Sequence, residues 1–263
     1  MKKYIIIPVV AAVLVIALFN SCKKYDKLLK NVLPANAAYL KVIHAAPGFT
    51  QVFNAPDNFN VLVGGINGQR IAAAFTYNSA FPANTINTDT YAAVPSGSQD
   101  IRLALKGVAN IDSIPVAIIP KNLSAGSYYT LVITDSITTT SDFSKIWVAD
   151  NFTTPASGSY GLRFIHAVMN DTAGKNVDVY SFRTASNIFS NITPGTATPF
   201  TTQTVTGILD TLSIRRAGTT FELARLNGVN YTNNQRVYTL VYRGDGRLTS
   251  GTKARGAFVY NNR

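Results

Sequence analysis

Residues 40–47 read LKVIHAAP and residues 162–169 read LRFIHAVM, and these two phrases hold both histidines of a 263-residue chain. In each, a run of apolar and β-branched residues ends at the histidine, and small residues then open a turn, the composition of a strand and its exit. Further matches follow in the same order. Phe59-Asn60-Val61-Leu62 pairs with Val177-Asp178-Val179-Tyr180, Ile101-Arg102 with Ile214-Arg215, Tyr129-Thr130-Leu131-Val132 with Tyr238-Thr239-Leu240-Val241, and Ile146–Asn151 with Ala257–Asn262. The spacing drifts only as loop insertions require, so the chain reads as two copies of one domain of ordinary size.

Composition sets the class. The chain is 46% hydrophobic and only 14% charged, with 13 Tyr, 14 Phe and 18 Gly. Strand-type runs recur with turn chemistry behind them. Residues 127–134 precede Asp135-Ser136, and Val237–Tyr242 precedes Gly244-Asp245-Gly246. No stretch beyond residue 35 sustains a capped helical period. The expectation is an all-β protein of two tandem antiparallel β-sandwich domains, immunoglobulin-like or transthyretin-like.

The first thirty residues belong to a different argument. Lys2 and Lys3 precede an apolar run, Tyr4 to Phe19, then Asn20, Ser21 and Cys22, the chain's one cysteine. A lone cysteine in an exported chain has no internal disulfide partner. The stretch Phe19–Cys22 resembles a bacterial lipobox, with Phe in place of the more usual Leu. That resemblance implies cleavage after residue 21, lipidation of Cys22 and membrane attachment, as for an outer-membrane lipoprotein of the cell envelope, on either face. The resulting division is a signal peptide over 1–21, a basic tether over 22–37, a first sandwich over 38–152, a linker over 153–159 and a second sandwich over 160–263.

Val42 to Pro47, a Val-Asp-Val-Tyr type strand, the Tyr-x-x-Val-Pro-x-Gly turn at Tyr91–Gly97 and the Ala-Gly-x-x-Tyr-Thr-Leu strand at Ala125–Leu131 together resemble the family catalogued as domain of unknown function 4397. The resemblance implies exported bacterial β-rich domains, often in tandem and often on lipoproteins. It brings no activity with it. The second copy keeps the His-Ala and Val-Asp-Val-Tyr elements and lacks the Pro after the histidine and the Val-Pro turn.

Catalytic templates are absent: no Gly-x-Ser-x-Gly, no phosphate-binding glycine loop and no His-Glu-x-x-His. His44 and His166 fit strand-end structural roles, because nothing adjacent supplies the carboxylate and nucleophile a catalytic histidine needs. No cofactor is expected, and no metal, since no ligand set has zinc or EF-hand spacing. Charge is more informative. Residues 38–150 carry six Lys/Arg against seven Asp, whereas residues 151–263 carry twelve against five acids, and ten of the twelve are Arg. Arginine suits bidentate recognition of carboxylate and sulfate. The expected function is therefore a noncatalytic envelope binding or scaffolding protein that engages acidic glycans through Arg215, Arg216 and Arg225, with no nucleic-acid partner. The competing readings are a structural component of an envelope assembly and a hydrolase of envelope polymers. Trp147 reads as core, and of Tyr128 and Tyr129, which point to opposite faces, one is expected to be exposed.

Overall fold

The computed structural model describes residues 36–48, 58–64, 68–83, 91–105, 114–134, 145–171, 175–231 and 235–263. Cys22, the signal segment, the tether up to residue 35 and the Asp135-Ser136 turn lie outside the described residues. Residues 37–263 form one compact unit. Its described residues form seventeen strands in four sheets and no helix.

Sheet I holds β2 (Asn58–Val63), β3 (Gln69–Thr76), β6 (Gly97–Leu105) and β7 (Ile114–Leu123) in the order β3-β2-β6-β7. Sheet II holds β1 (Ala37–His44), β4 (Ala80–Phe81), β5 (Ala92–Pro95), β8 (Tyr128–Ile133) and β9 (Lys145–Ala149), ordered β4-β1-β8-β9 with β5 on the same edge of β1 as β4. Sheet III, from β10 (Ser159–His166), β13 (Thr201–Thr204), β16 (Val237–Arg243) and β17 (Gly256–Asn261), runs β13-β10-β16-β17. Sheet IV, from β11 (Val177–Ser181), β12 (Ser186–Ile192), β14 (Asp210–Arg216) and β15 (Glu222–Val229), runs β12-β11-β14-β15. The strand order of sheets I and II recurs in sheets IV and III, as the duplication requires. Pairing is antiparallel except at the centre of each inner sheet, where β1 lies parallel to β8 and β10 parallel to β16.

Sheets I and II pack around Phe59, Val61, Ile101 and Leu103 against Leu40, Val42 and Leu131. Sheets III and IV do the same with Phe164 and Leu240 against Val179 and Ile214. A third apolar layer joins the two sandwiches: Ile43, Val132 and Ile146 of sheet II meet Ile165, Val241 and Tyr260 of sheet III. The inner sheets are thus buried on both faces, which explains why β1 and β10 read as nearly unbroken apolar runs rather than as alternating ones. Leu40, Val42 and His44 face one core, and Lys41 and Ile43 face the other sandwich.

Register corrects two of the sequence pairings. Asn60 opposes Ala104 and Asp178 opposes Arg215, so Ile101-Arg102 corresponds to Leu212-Ser213, not to Ile214-Arg215. Leu131 opposes Trp147 and Leu240 opposes Val259, so Asp150 corresponds to Asn262 rather than Asn261. The first slip is two residues and keeps the faces; the second is one residue and exchanges them. Local similarity cannot see the partner strand that fixes register. The Asn/Asp of the Val-Asp-Val-Tyr strand also gains a role. Asn60 Oδ1 accepts from Ala74 N–H at 2.9 Å, and Asp178 Oδ1 accepts from Asn191 N–H at 2.7 Å. Both acceptors serve a left-handed residue, Ala74 at φ 48° and Asn191 at φ 56°, at the bulge between the paired strands.

Corrected register exposes the centre of the molecule. Lys41 and Arg163 occupy equivalent positions, at the same spacing as the histidines (163 − 41 = 166 − 44), and both are buried, 0% and 1% exposed. Arg163 Nη1 pairs with Asp150 Oδ1, its Nη2 reaches Thr130 Oγ1 at 3.0 Å and its Nε reaches Thr239 Oγ1 at 2.8 Å. Thr130 and Tyr91 donate to Asp150 Oδ2. Thr239 donates to Asn262 Oδ1, whose Nδ2 donates to Tyr91. Lys41 Nζ crosses the other way, to the carbonyl of Asn261. Burial, the largest effect, brings the Lys41 ammonium down to about 7; Asp150 opposes this and Arg163 adds to it. A buried charge stripped of its partner is costly, so Asp150→Asn should destabilise the protein by about 3–5 kcal/mol in urea denaturation. Asp150→Asn with Arg163→Met should lose less than Asp150→Asn alone; a loss under about 1 kcal/mol for the single variant contradicts this assignment.

Candidate functional site

The three arginines singled out by the sequence stand on sheet IV, the outer sheet of the second sandwich. β14 brings Ser213 and Arg215 to its outer face, and Ser213 opposes Tyr180 on β11 and Arg225 on β15. The Arg215 guanidinium lies 3.6 Å from the Tyr180 ring centroid and 5.6 Å from that of Phe182. Arg225 approaches Phe182 at 5.0 Å. Phe182 is 44% exposed, so an aromatic surface framed by two guanidinium groups faces solvent.

Polar contacts orient this face without saturating it. Arg225 pairs with Glu222 at 2.9 Å, and Ser213 Oγ donates to Glu222 Oε2 at 2.6 Å. Burial alone would raise the Glu222 carboxyl, but bonds from Arg225 and Ser213 and the charges of Arg225 and Arg215 hold it below its ordinary value. Arg215 donates only through Nε, to Ser213 Oγ at 3.3 Å, which leaves both Nη groups for a ligand among the described residues. Arg216 does not join them. It is the last residue of β14, one position on from Arg215 and opposite Val177, exposed and 4.9 Å from the Phe221 ring centroid.

The first sandwich has no such face. Through the corrected register the positions of Tyr180, Phe182, Arg215 and Arg225 are held there by Leu62, Gly64, Ala104 and Ile118, none of them aromatic or charged. The arginine excess therefore includes a localised feature of the second copy. Tyr180 and Phe182 escaped sequence reading. Their signal was the strand alternation of Asp178, Tyr180 and Phe182 on one face, which becomes informative only once sheet IV is known to be an outer sheet.

Both histidines are fully enclosed. His44 Nδ1 accepts from the backbone N–H of Ala46 at 3.3 Å, and its ring packs 4.6 Å from that of Phe59. His166 packs 5.1 Å from Tyr242. Trp147 stacks on Tyr129 at 5.1 Å at the margin of the first core, and Tyr128 stacks on Tyr39 at 4.7 Å. Tyr129 is buried and Tyr128 half-buried, so neither stands fully exposed as expected of one of them. Among the described residues no group of three or more His, Cys, Asp and Glu is placed to hold a metal ion.

A double sandwich with a basic, aromatic outer face is the class these features define. The chain belongs to the family described as Domain of unknown function (DUF4397), whose model matches residues 38–180 and so runs through the first sandwich into β11 of the second. Among curated proteins none matches the chain. Similar solved structures include a family 26 carbohydrate-binding module of Amy13K from Eubacterium rectale in complex with maltoheptaose, at 9% identity over 86% of this chain and 97% of that one, with a TM-score of 0.24. A family 41 carbohydrate-binding module from streptococcal virulence factors, in a study of alpha-glucan recognition, is 12% identical over 86% of this chain and 97% of that one, again with a TM-score of 0.24. Likeness at this level says nothing about a ligand here.

Burial draws the His166 imidazole down to about 4, against the pull of Asp171, from an ordinary 6.5. The unfolded chain then binds more protons than the folded one between these values. Stability is full above pH 6.5, is lost as the pH falls through the window and levels off below about 4, for a total of up to about 3 kcal/mol. Urea midpoints across pH 4–7 should show this slope, and His166→Asn should flatten it; an unchanged slope in the variant would assign the effect elsewhere.

Proposed function

We propose that this chain is a noncatalytic binding protein, held at the outer membrane of a cell envelope through lipidated Cys22, that engages acidic glycans on the outer face of sheet IV. One observation carries the reading: Arg215 and Arg225 flank Tyr180 and Phe182 in the second sandwich, and the equivalent positions of the first are apolar. The pieces suit a sugar acid. A ring accepts the C–H face of a pyranose, and the uncommitted Nη groups of Arg215 take a carboxylate or sulfate. Arg216, at the end of β14, is a peripheral contributor. The fully buried histidines favour binding over hydrolysis as the reading of the site.

Binding of the full chain in detergent to polygalacturonate tests this. Arg215→Gln with Arg225→Gln should weaken it by about tenfold or more and flatten its salt dependence, as loss of charge-assisted bonds worth about 1.5–3 kcal/mol requires, whereas Arg216→Gln should change it less than about threefold. Unaltered affinity in the double variant refutes the site. Fractionation tests the anchor: Cys22→Ala should move the chain from the membrane to the soluble fraction, and a variant that stays in the membrane argues against lipidation.

A further inference from the structure

Strand β9 is the outer strand of sheet II, paired only with β8 among the described residues, and the segment 195–202 of the second sandwich runs alongside it. Between them four hollows follow one another. One of about 560 Å³ lies by Lys121, Trp147 and Thr196. The next, about 340 Å³, passes Arg163 and Thr198 and shares the walls Val148 and Ala197 with the first. A third, about 120 Å³, lies under Phe152 and Phe200 and shares Asn151 and Phe200 with the second. The last, about 450 Å³, reaches Tyr128 and shares Asn151, Phe152 and Thr153 with the third. Their shared wall residues place them in series in one groove along the seam of the two sandwiches.

The cleft is lined for a polymer of ring-shaped, hydroxylated units. Four aromatic residues line it, Trp147, Phe200, Phe152 and Tyr128. Trp147 is held by its stack on Tyr129, and Phe152 and Phe200 meet edge to face at 5.8 Å. Between the rings stand Asn151 and Thr153, both exposed, and Thr202, also exposed. Alternation of aromatic faces with amide and hydroxyl groups matches the alternation of C–H faces and hydroxyls along a sugar chain, and an elongated open cleft suits a chain rather than a compact ligand. Lys121 lies 5.5 Å from the centroid of the Trp147 ring and lines the same hollow, which puts a positive charge at the end that would meet a uronic acid unit.

We infer that this seam cleft binds a linear polysaccharide segment, at a site separate from the arginine face of sheet IV. Trp147 is the only tryptophan of the chain and reports on it directly. The full chain in detergent is titrated with cellohexaose and with hexagalacturonate while Trp147 emission is followed. The expected result is a saturable change with at least one sugar. A change with cellohexaose alone assigns recognition to the rings, and one with hexagalacturonate alone adds the charge of the Lys121 end. Phe200→Ala, Phe152→Ala and the exposed Asn151→Ala should each weaken binding by at least threefold in proteins whose melting matches the parent. No emission change with either sugar overturns the inference, as does a change that survives all three cleft substitutions.

Discussion

The ion pair of Arg163 with Asp150, sealed between two sheets, is the contact on which the rest of the architecture depends. Each partner comes from a different sandwich, and each is almost free of solvent. A charge in that position is tolerable only because Thr130, Thr239, Tyr91 and Asn262 complete its hydrogen bonds, and those groups are themselves drawn from both halves. The arrangement locks the relative placement of sheets II and III more narrowly than apolar packing alone would, since any slide leaves charges unmet. Lys41, the equivalent of Arg163, crosses in the opposite direction but ends on a carbonyl rather than a carboxylate. Its partner position holds Asn262 where the first half has Asp150. The duplicated halves thus differ at the seam, where Asp150 of the first is matched by Asn262 of the second.

From this seam follows the distribution of function. With sheets II and III buried against one another, the surfaces left to meet a ligand are the outer sheets, the strand edges and the groove where the sandwiches join. Divergence has treated the outer sheets differently: sheet I keeps Leu62, Ala104 and Ile118 where sheet IV carries Tyr180, Arg215 and Arg225. The second copy carries a solvent-facing pair of arginines and aromatic rings where the matching Leu62 and Ala104 of the first are buried, and a groove lies where the two sandwiches join.

Much of the fold was legible. The repeated His-Ala phrase marked equivalent strand ends, the alternation of Tyr129 and Leu131 marked a core face, and the Tyr-x-x-Val-Pro-x-Gly turn marked a fixed element, though not that Tyr91 would serve the seam. The arginines were legible as a bias, and two of the three share a site. What sequence did not yield is what depends on partners distant in the chain. Lys41 and Arg163 sit in strands that read as apolar, and a buried charge looks like a surface residue until its counterion is located. Register slipped at β14 and at β17 for the same reason, because the cross-strand neighbour decides it.

The most direct test of the central claim is to produce residues 37–158 and 159–263 as separate chains and follow their unfolding and association. If the seam completes both cores, each half alone exposes Ile43, Val132, Ile165 and Val241 together with an unpaired buried charge. The separate chains should then melt far below the parent or self-associate, and mixing them should restore a single cooperative transition. Two monomeric halves, each as stable alone as within the whole chain and indifferent to mixing, would contradict it.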